Sequence, residues 1–195
     1  MTATQIAGSA GTDAASGPCV IGLDLAAEQS GVATPEGTTI IKAPKAASKT
    51  RTLADDLNRL DHIEATITAL LNTYQPHLIV IEDYASGIRG NPVHRLAEVG
   101  GVVRLACHRA GAQMALVNVM HLKIYATGSG KATKSQMATS AQGRAGLLFP
   151  TEDECDAWWL RAMGLDALGH AVVELPKAQR DALGKVAWPE TAVAS

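Results

Sequence analysis

Cysteine is scarce in this sequence, and paired cysteine motifs are missing. The 195 residues include only Cys19, Cys107 and Cys155, which are far apart and form no C-x-x-C pair. An odd number of widely spaced cysteines argues against a disulfide framework and against a structural zinc site. The same pattern fits the reducing environment of the cytosol.

Long apolar runs are also absent. No run approaches the roughly 20 apolar residues that a membrane-spanning helix needs, and the N-terminus lacks the basic-then-apolar order of a secretory signal. We therefore expect a cytoplasmic protein with no membrane partner.

The chain as a whole shows no strong excess of one charge sign, but its middle does. The net charge is −2, yet residues 85–149 contain eight Lys and Arg against one Glu, and the segments on either side are acidic. A basic middle is a candidate surface for a polyanion. Charge segregation in sequence need not survive folding, so on its own it carries little weight.

The composition and length predict one globular domain with two short flanking segments. Hydrophobic residues make up 47% of the chain and charged residues 18%, which is ordinary for a globular protein. Residues 1–17 are small, polar and unpatterned, and we interpret them as a disordered tail. We expect the folded domain to span residues 18–172 and a structural C-terminal extension to span residues 173–195.

The hydrophobic pattern predicts a mixed α/β domain. Gly-containing turn signals divide residues 19–43 into three antiparallel strands, and helical spacing predicts a helix over 51–74 that ends before Pro76. The uniformly apolar run at 78–81 is typical of a strand covered by helices on both faces. The other predicted elements are a helix over 93–110, a strand over 114–119, a short helix ending at Gly143 and a helix starting after Thr151.

This order of elements is what an RNase H-like fold would give, with a central mixed five-stranded sheet flanked by helices. Periodicity alone does not separate that fold from other α/β sandwiches.

Four acidic residues lie where predicted strands end or a helix begins. Asp24 is inside an apolar strand, where an ionised carboxylate is costly without a nearby cation; a turn position or one lysine partner would explain an isolated Asp better. Glu82 ends a second apolar strand, where it is equally well a simple strand terminator. Asp153 and Asp156 share a helix face, although the helix dipole alone favours acids there.

The acidic neighbours of these four residues are expected to be peripheral. Asp83 should point to the opposite face of the strand from Glu82. Glu152 and Glu154 lie off the face of Asp153 and Asp156, and we interpret them as N-terminal acids favoured by the helix dipole.

Taken together, the four acids can converge at one edge of an α/β sheet. Converging carboxylates repel one another, and divalent metal ions usually relieve the repulsion. Hard oxygen ligands favour Mg²⁺ or Mn²⁺, and two such ions can hold the attacking and leaving oxygens of a phosphodiester. The residues alone therefore indicate a metal-dependent enzyme that acts on a polyanion.

Several motifs resemble those of RuvC-like Holliday junction resolvases, in the same order and spacing and most closely the variants of bacteriophages and actinobacteria. The resemblance covers roughly residues 19–170. The segment preceding the D-x-x-D-A helix is its most specific part. The motifs are "IGLDLAAEQSGVA", "LIVIEDYASG", "LAEVGGVVRLACHRAG", "LKIYATGSGKATKSQM" and "DECDAWWLRAM".

The resemblance implies a set of site residues. It implies that the catalytic, metal-binding acids are Asp24, Glu82, Asp153 and Asp156. It further implies that they use two Mg²⁺ ions, replaceable by Mn²⁺, and no small-molecule cofactor. It also implies that Lys123 and Lys134 approach the DNA backbone and that one of the two stabilises the charge that develops during catalysis. Lys131 is implied as a further phosphate contact. The helix over 93–110 corresponds to the homodimer interface of the family.

The sequence departs from the family in two places. Leu25-Ala26 follows the first acid where bacterial members usually have Pro-Gly. Ala85 falls where members place an aromatic that stacks on a junction base; Tyr84 is next to it, and stacking on DNA or packing in the core explains this tyrosine equally well. Arg89 and Arg95 are candidate substitutes through phosphate contacts.

The resemblance predicts a homodimeric endonuclease that cuts four-way DNA junctions symmetrically during recombination and repair. A nuclease for flaps, forks or RNA–DNA hybrids would need the same acids. A catalytically silent junction-binding protein is the alternative outside the enzymes.

Overall fold

The computed structural model describes residues 17–46, 48, 50–83 and 91–190. Among the helices of these residues, none combines the length and apolar character needed to cross a membrane. The predicted N-terminal tail falls almost entirely outside the described residues.

A single five-stranded sheet lies at the centre of the described chain. Its strands are β1 (Val20–Asp24), β2 (Gln29–Thr34), β3 (Gly37–Lys42), β4 (Leu78–Asp83) and β5 (Met114–Asn118), in the spatial order β3-β2-β1-β4-β5. The first three strands are antiparallel, whereas β4 is parallel to both β1 and β5. The mixed five-stranded sheet predicted from the sequence is confirmed.

Helices cover both faces of this sheet. The helices are α1 (Leu53–Tyr74), α2 (Asn91–Arg109), α3 (Val119–Thr127), α4 (Lys134–Ala145), α5 (Glu152–Ala167) and α6 (Lys177–Arg180), followed by a 3-10 turn at Asp181–Lys185. Alternate residues of the inner strands point to opposite sides: Ile21 and Ile79 pack with α1 and α2, whereas Val20 and Val80 pack with α5. Burial on both sides explains why β4 is apolar throughout.

Helix ends agree with the local sequence where a cap is present. Thr52 and Asp55 form a capping box at the start of α1, and the chain leaves that helix at Gln75, just before Pro76. The predicted end of α4 at Gly143 is wrong, because the helix continues to Ala145. Gly146, with φ 69°, is the left-handed C-cap, a conformation that glycine adopts at little cost.

The sequence pattern missed helix α3 altogether. Apolar residues continue from β5 into α3 with only isolated polar residues between them and no Gly or Pro, so the switch from strand to helix leaves little periodic signal. The transition is at Asn118, whose side chain accepts a hydrogen bond from the Met120 backbone N–H and caps the helix.

The C-terminal segment packs against α3 and α5. The Arg180 guanidinium makes two hydrogen bonds to the buried Asp166 carboxylate, at 2.6 and 2.9 Å, and Tyr125 also donates to Asp166 at 3.2 Å. Ala182 and Val173 are buried in the same apolar cluster as Trp159.

Candidate active site

Asp24 and Glu82 are placed side by side by the parallel pairing of β1 and β4. Leu23 is in register with Ile81, so the next residue of each strand is an acid, and both acids fall on the α5 face, as Val80 does. Both side chains are half-buried at the carboxyl edge of the sheet. Two carboxylates are thus fixed at one edge by backbone hydrogen bonding.

Helix α5 approaches the sheet so closely that only glycine fits beneath it. A Cβ at Gly22 would lie 2.1 Å from the Ala157 carbonyl oxygen, and a Cβ at Gly31 would lie 2.0 Å from the Asp153 carbonyl oxygen. Gly31 is the cross-strand partner of Asp24. The N-terminal part of α5, which carries Asp153 and Asp156, therefore packs beside Asp24. These glycines are site-forming residues that the sequence analysis did not identify.

Lys134 brings a cation into the cluster from helix α4. It is the first residue of that helix, whose start is fixed by the capping box of Thr133 and Gln136. The Lys134 ammonium forms an ion pair with the Asp156 carboxylate, which is almost fully buried, whereas the lysine side chain is 42% exposed. Lys134 can therefore contact both the buried acid and a ligand approaching from solvent.

Burial and mutual repulsion raise the pKa values of the acids. The pKa of Glu82 rises to about 7, first through burial and then through the charge of Asp156, while Lys134 and Lys123 oppose the rise. The pKa of Asp24 is raised well above its ordinary value by burial and then by Glu82 and Asp156. Burial first, and then repulsion between the carboxylates, therefore disfavour the ionised acids in the absence of a bound cation.

Asp156 and Lys134 perturb each other as well. Burial raises the pKa of Asp156 despite the opposing hydrogen bond from Lys134. Burial acts to lower the pKa of Lys134, but the hydrogen bond to Asp156 and the surrounding carboxylates raise it overall. The lysine therefore remains a cation.

The donor set fits a divalent cation with oxygen ligands. Asp156 Oδ1 is buried and makes no hydrogen bond within the described part of the chain, and a buried carboxylate oxygen without a donor is costly unless a cation binds it. Among the described residues, no three His, Cys, Asp or Glu side chains form a ready-made coordination group. Lys134 is instead the cation paired with Asp156, so a metal ion would compete with it.

Asp153 lies at the edge of the cluster. Its Oδ2 accepts a 3.0 Å hydrogen bond from Gln29 Nε2 at the start of β2, and its charge contributes to the raised pKa values of Asp24 and Asp156. Gln29 is a second neighbour of the site that the sequence analysis missed.

Glu154 differs from its neighbours in a way that the sequence pattern did not show. It is an acid of the first helical turn, as predicted, but it is also buried and accepts hydrogen bonds from Thr38 Oγ1 at 3.2 Å and Thr151 Oγ1 at 2.9 Å. Glu152, by contrast, is exposed. Glu154 thus ties α5 to β3.

The predicted DNA contacts lie at different distances from the cluster. Lys123 of α3 is close enough to lower the pKa values of Glu82 and Asp156, and Lys131 is exposed in the loop before α4. Arg95 is 27% exposed and pairs with Glu28 at 2.5 Å. The remaining two predicted contacts, Tyr84 and Arg89, lie outside the described residues.

Asp83 stands apart from the acid cluster. In the alternation of β4 it follows Ile81 on the face of α1 and α2, opposite to the face of Glu82.

The chain resembles known proteins in sequence and in fold. Residues 20–143 match the family described as Crossover junction endodeoxyribonuclease RuvC. The protein of that name from Salinispora arenicola is 33% identical over 125 residues, which cover 60% of this chain and 69% of the relative. The Thermobifida fusca protein is 30% identical over 125 residues, which cover 62% of this chain and 68% of the relative.

A solved structure agrees with this match at the level of the fold. Thermus thermophilus RuvC, also solved in complex with a Holliday junction substrate, covers 80% of this chain with a TM-score of 0.61, and the match spans 99% of that protein at 18% identity. Since the family match extends over more than half of the chain, this protein belongs to the RuvC family of crossover junction endodeoxyribonucleases.

Proposed function

We propose that this protein is a metal-dependent endodeoxyribonuclease that cuts four-way DNA junctions symmetrically, in the cytoplasm, during recombination and repair. The observation that carries the proposal is the convergence of Asp24, Glu82 and Asp156 around the Lys134 ammonium at one edge of the sheet. This arrangement supports a role for the three acids in binding a cation and for the lysine in contacting a phosphate.

Asp24, Glu82, Asp153 and Asp156 would hold the metal, which we propose to be two Mg²⁺ ions, replaceable by Mn²⁺. When bound, these ions supply a Lewis acid and lower the pKa of a water molecule, the usual chemistry of phosphodiester hydrolysis. The unpartnered Asp156 Oδ1 supports this use of the acids. Hydrolysis in line would leave a 5′-phosphate and a 3′-hydroxyl.

Lys134 would stabilise the charge that develops on the phosphate oxygens. Its side chain is partly exposed while its ammonium is held against Asp156, so it is positioned before the substrate arrives. A preorganised charge of this kind lowers the barrier because it needs no reorganisation during the reaction. Lys123 is the second candidate for this role.

The DNA backbone would contact Lys123, Lys131 and Lys134, with Tyr84, Arg89 and Arg95 as further contacts. Arg95 would have to exchange its Glu28 partner for a phosphate. Lys123, Lys131 and Lys134 all belong to the basic middle of the sequence, which supports DNA as the polyanion.

A homodimer would provide the two cuts that symmetric resolution needs. Leu57 of α1 and Leu105 of α2 are 57% and 46% exposed, and they line an open cavity of about 540 Å³ between these helices. A second copy of the chain, related by a two-fold axis, would cover this apolar surface and present two equivalent active sites.

The test compares two acids on opposite faces of the same sheet. Asp24→Asn should lower the rate of junction cleavage by at least about 100-fold, since even outer-shell changes at metal sites cost about 10–100-fold, while junction binding measured in EDTA is retained. Asp83→Asn, on the opposite face of β4, is the matched control and should keep cleaving. Lost binding with retained cleavage by Asp24→Asn would refute the assignment.

Substrate choice is decided by comparing rates on four-way junctions, flaps, forks and RNA–DNA hybrids. Junctions should be cut fastest and in paired positions. Faster cutting of flaps or hybrids would favour the broader nuclease instead. Junction binding without any incision in Mg²⁺ would indicate a silent binding protein.

A further inference from the structure

Three arginines, one just before α1, one inside α1 and one in α2, converge on a single carboxylate oxygen. Asp56 Oδ1 lies 3.2 Å from Arg51 Nη1, 3.4 Å from Arg59 Nη2 and 4.0 Å from Arg95 Nε. Guanidinium groups held this close repel one another unless anions lie between them. We refer to Arg51, Arg59 and Arg95 as the arginine cluster.

Glu28 is the acid that covers the outer side of the arginine cluster. Its Oε1 accepts hydrogen bonds from Arg95 Nη2 at 2.5 Å and from Arg51 Nη2 at 3.3 Å, and both arginines are partly exposed. The Glu28 side chain is itself 55% exposed, and exposed ion pairs contribute little to stability. Its backbone carbonyl accepts a 2.9 Å hydrogen bond from the Ala43 N–H. The carboxylate can therefore leave the two arginines by side-chain rotation while the loop stays in place.

The inner side of the arginine cluster holds unused donors. Arg59 is fully buried and donates through Nη2 to Asp56 and Glu98. Its Nε and Nη1, and the Nε of Arg95, make no hydrogen bond within the described residues. When Glu28 leaves, three guanidinium groups face only Asp56 and Glu98. The cluster then carries a net positive charge, with a buried guanidinium beneath the two outer ones.

We propose that Arg51 and Arg95 form a second phosphate site for the DNA backbone, which Glu28 occupies in the free protein and vacates when DNA binds. A phosphate presents two oxygens to the guanidinium fork as a carboxylate does, so Glu28 takes the place of the ligand. This inference rests on the proposed nuclease function. It adds a phosphate site other than the scissile one, and a competitor for that site within the chain.

The position of this second site suits a DNA strand that also passes the acid cluster. Glu28 lies four residues after Asp24, in the loop that follows β1 at the carboxyl edge of the sheet. Arg51 and Arg95 lie near the starts of α1 and α2, which pack on the sheet face opposite to α5. A DNA backbone that crosses this edge would therefore meet the acids on one side and the two arginines on the other.

The experiment measures junction binding in EDTA by fluorescence anisotropy over a range of salt concentrations. Glu28→Gln should raise the affinity about 2- to 10-fold, because the phosphate no longer has to displace one or two exposed ion pairs. The double variant Arg51→Gln/Arg95→Gln should bind more weakly. Its slope of log K against log salt concentration should fall in magnitude by about 1, for the one phosphate contact that is lost.

Glu36→Gln is the matched control, because Glu36 is an exposed acid in the turn at the opposite end of β2. It accepts a 2.9 Å hydrogen bond from the Tyr74 hydroxyl, which an amide oxygen can also accept. The length of β2, roughly 20 Å, exceeds the Debye length of about 8 Å at physiological salt. Loss of this negative charge should therefore leave the junction affinity within about 2-fold of the wild-type value.

A double-mutant cycle separates competition from simple repulsion between Glu28 and DNA. If Glu28 competes for the arginines, Glu28→Gln should raise the affinity less in the Arg51→Gln/Arg95→Gln background than in wild type, because no arginine is left to release. An equal gain in both backgrounds would overturn the competition, since repulsion does not depend on the arginines. Thermal unfolding of each variant checks that it is folded.

The remaining outcomes separate this inference from the proposed function. Unchanged or weaker junction binding by folded Glu28→Gln would overturn the second site and leave the nuclease intact. So would thermal stabilisation of Glu28→Gln by inorganic phosphate without a gain in junction affinity, because the site would then take free anions instead of DNA. Should the double arginine variant fail to fold, Arg51→Gln alone decides, through its affinity and salt slope. Absence of incision in Mg²⁺ would overturn the nuclease proposal, whereas the binding measurements in EDTA do not depend on it.

Discussion

Raising the pH should destabilise the metal-free protein, and Glu82 should account for a large part of the loss. Burial, followed by the charge of Asp156, raises the pKa of Glu82 from 4.5 to about 7 in the folded protein. Between these two values the folded protein holds a proton that the unfolded chain has released. The stability that this proton contributes is complete below pH 4.5 and is lost as the pH rises through about 7.

The size of the effect follows from the same two values. The interval between 4.5 and about 7, at about 1.36 kcal/mol for each pH unit, corresponds to roughly 3 kcal/mol. Because Glu82 is partly exposed and titrates together with Asp24 and Asp156, we expect about 2–3 kcal/mol to be observed. Asp24 acts in the same direction, since its pKa is also raised.

The assay is urea unfolding in EDTA at about pH 5 and about pH 8, for wild type and for Glu82→Gln. The neutral amide does not titrate, so the loss of unfolding free energy between the two pH values should be about 2–3 kcal/mol smaller in this variant. Titrating groups outside the acid cluster are common to both proteins and cancel in the comparison. Asp24 changes in the same direction as Glu82, because the variant also removes the charge that helps to raise the pKa of Asp24. Asp83→Asn is the control and should show the full wild-type loss.

Equal pH dependence in wild type and Glu82→Gln would refute the reasoning, because it would mean that Glu82 is ionised in the folded protein throughout this range. A second measurement adds Mg²⁺ at about pH 8. Mg²⁺ at 100 times its dissociation constant should stabilise the wild-type protein by about 2.7 kcal/mol, and Glu82→Gln should gain less.

Two further predictions concern packing and assembly. Gly31→Ala should lower the free energy of unfolding by at least about 1–3 kcal/mol, the usual cost of overpacking, because its Cβ would lie 2.0 Å from the Asp153 carbonyl oxygen. The control is Gly143→Ala, whose Cβ meets no described atom within 4 Å and which should instead stabilise α4 by about 0.5–1 kcal/mol. Urea unfolding of both variants measures these changes. Leu105→Asp should shift the protein from dimer to monomer in sedimentation experiments, because it places a charge in the apolar surface between α1 and α2. An unchanged dimeric mass would mean that the two copies associate through another surface.

Local sequence patterns were enough to predict the strands that carry Asp24 and Glu82. Each acid directly follows or ends a short apolar run, and a run of this kind has few alternative secondary structures besides a buried strand. The helix α3 was missed because its apolar residues continue the run of β5 without a turn signal. Only the side-chain cap of Asn118 marks the change, and a single cap is too weak a signal to read from sequence alone.

The packing of α5 on the sheet could not be predicted from local sequence patterns, for a different reason. Gly22 and Gly31 are more than 120 residues away from the helix backbone that they accommodate, and a glycine in a strand has several ordinary explanations. The buried contacts of Glu154 with Thr38 depend on the same long-range packing. Without knowledge of which helix crosses β1 and β2, neither feature could be assigned to the site.

The close packing of α5 on the sheet also supports the proposal that the acid cluster binds a cation. The backbone contacts at Gly22 and Gly31 fix the N-terminal part of α5, with Asp153 and Asp156, against the strands β1 and β2. Repulsion and burial then raise the pKa values of the acids instead of driving them apart. One carboxylate, Asp156, is stabilised by Lys134, yet its Oδ1 remains without a donor in the described structure. The fold therefore keeps the cluster in a state that binding of divalent cations would stabilise, which is the state that a metal-dependent nuclease requires before its substrate arrives.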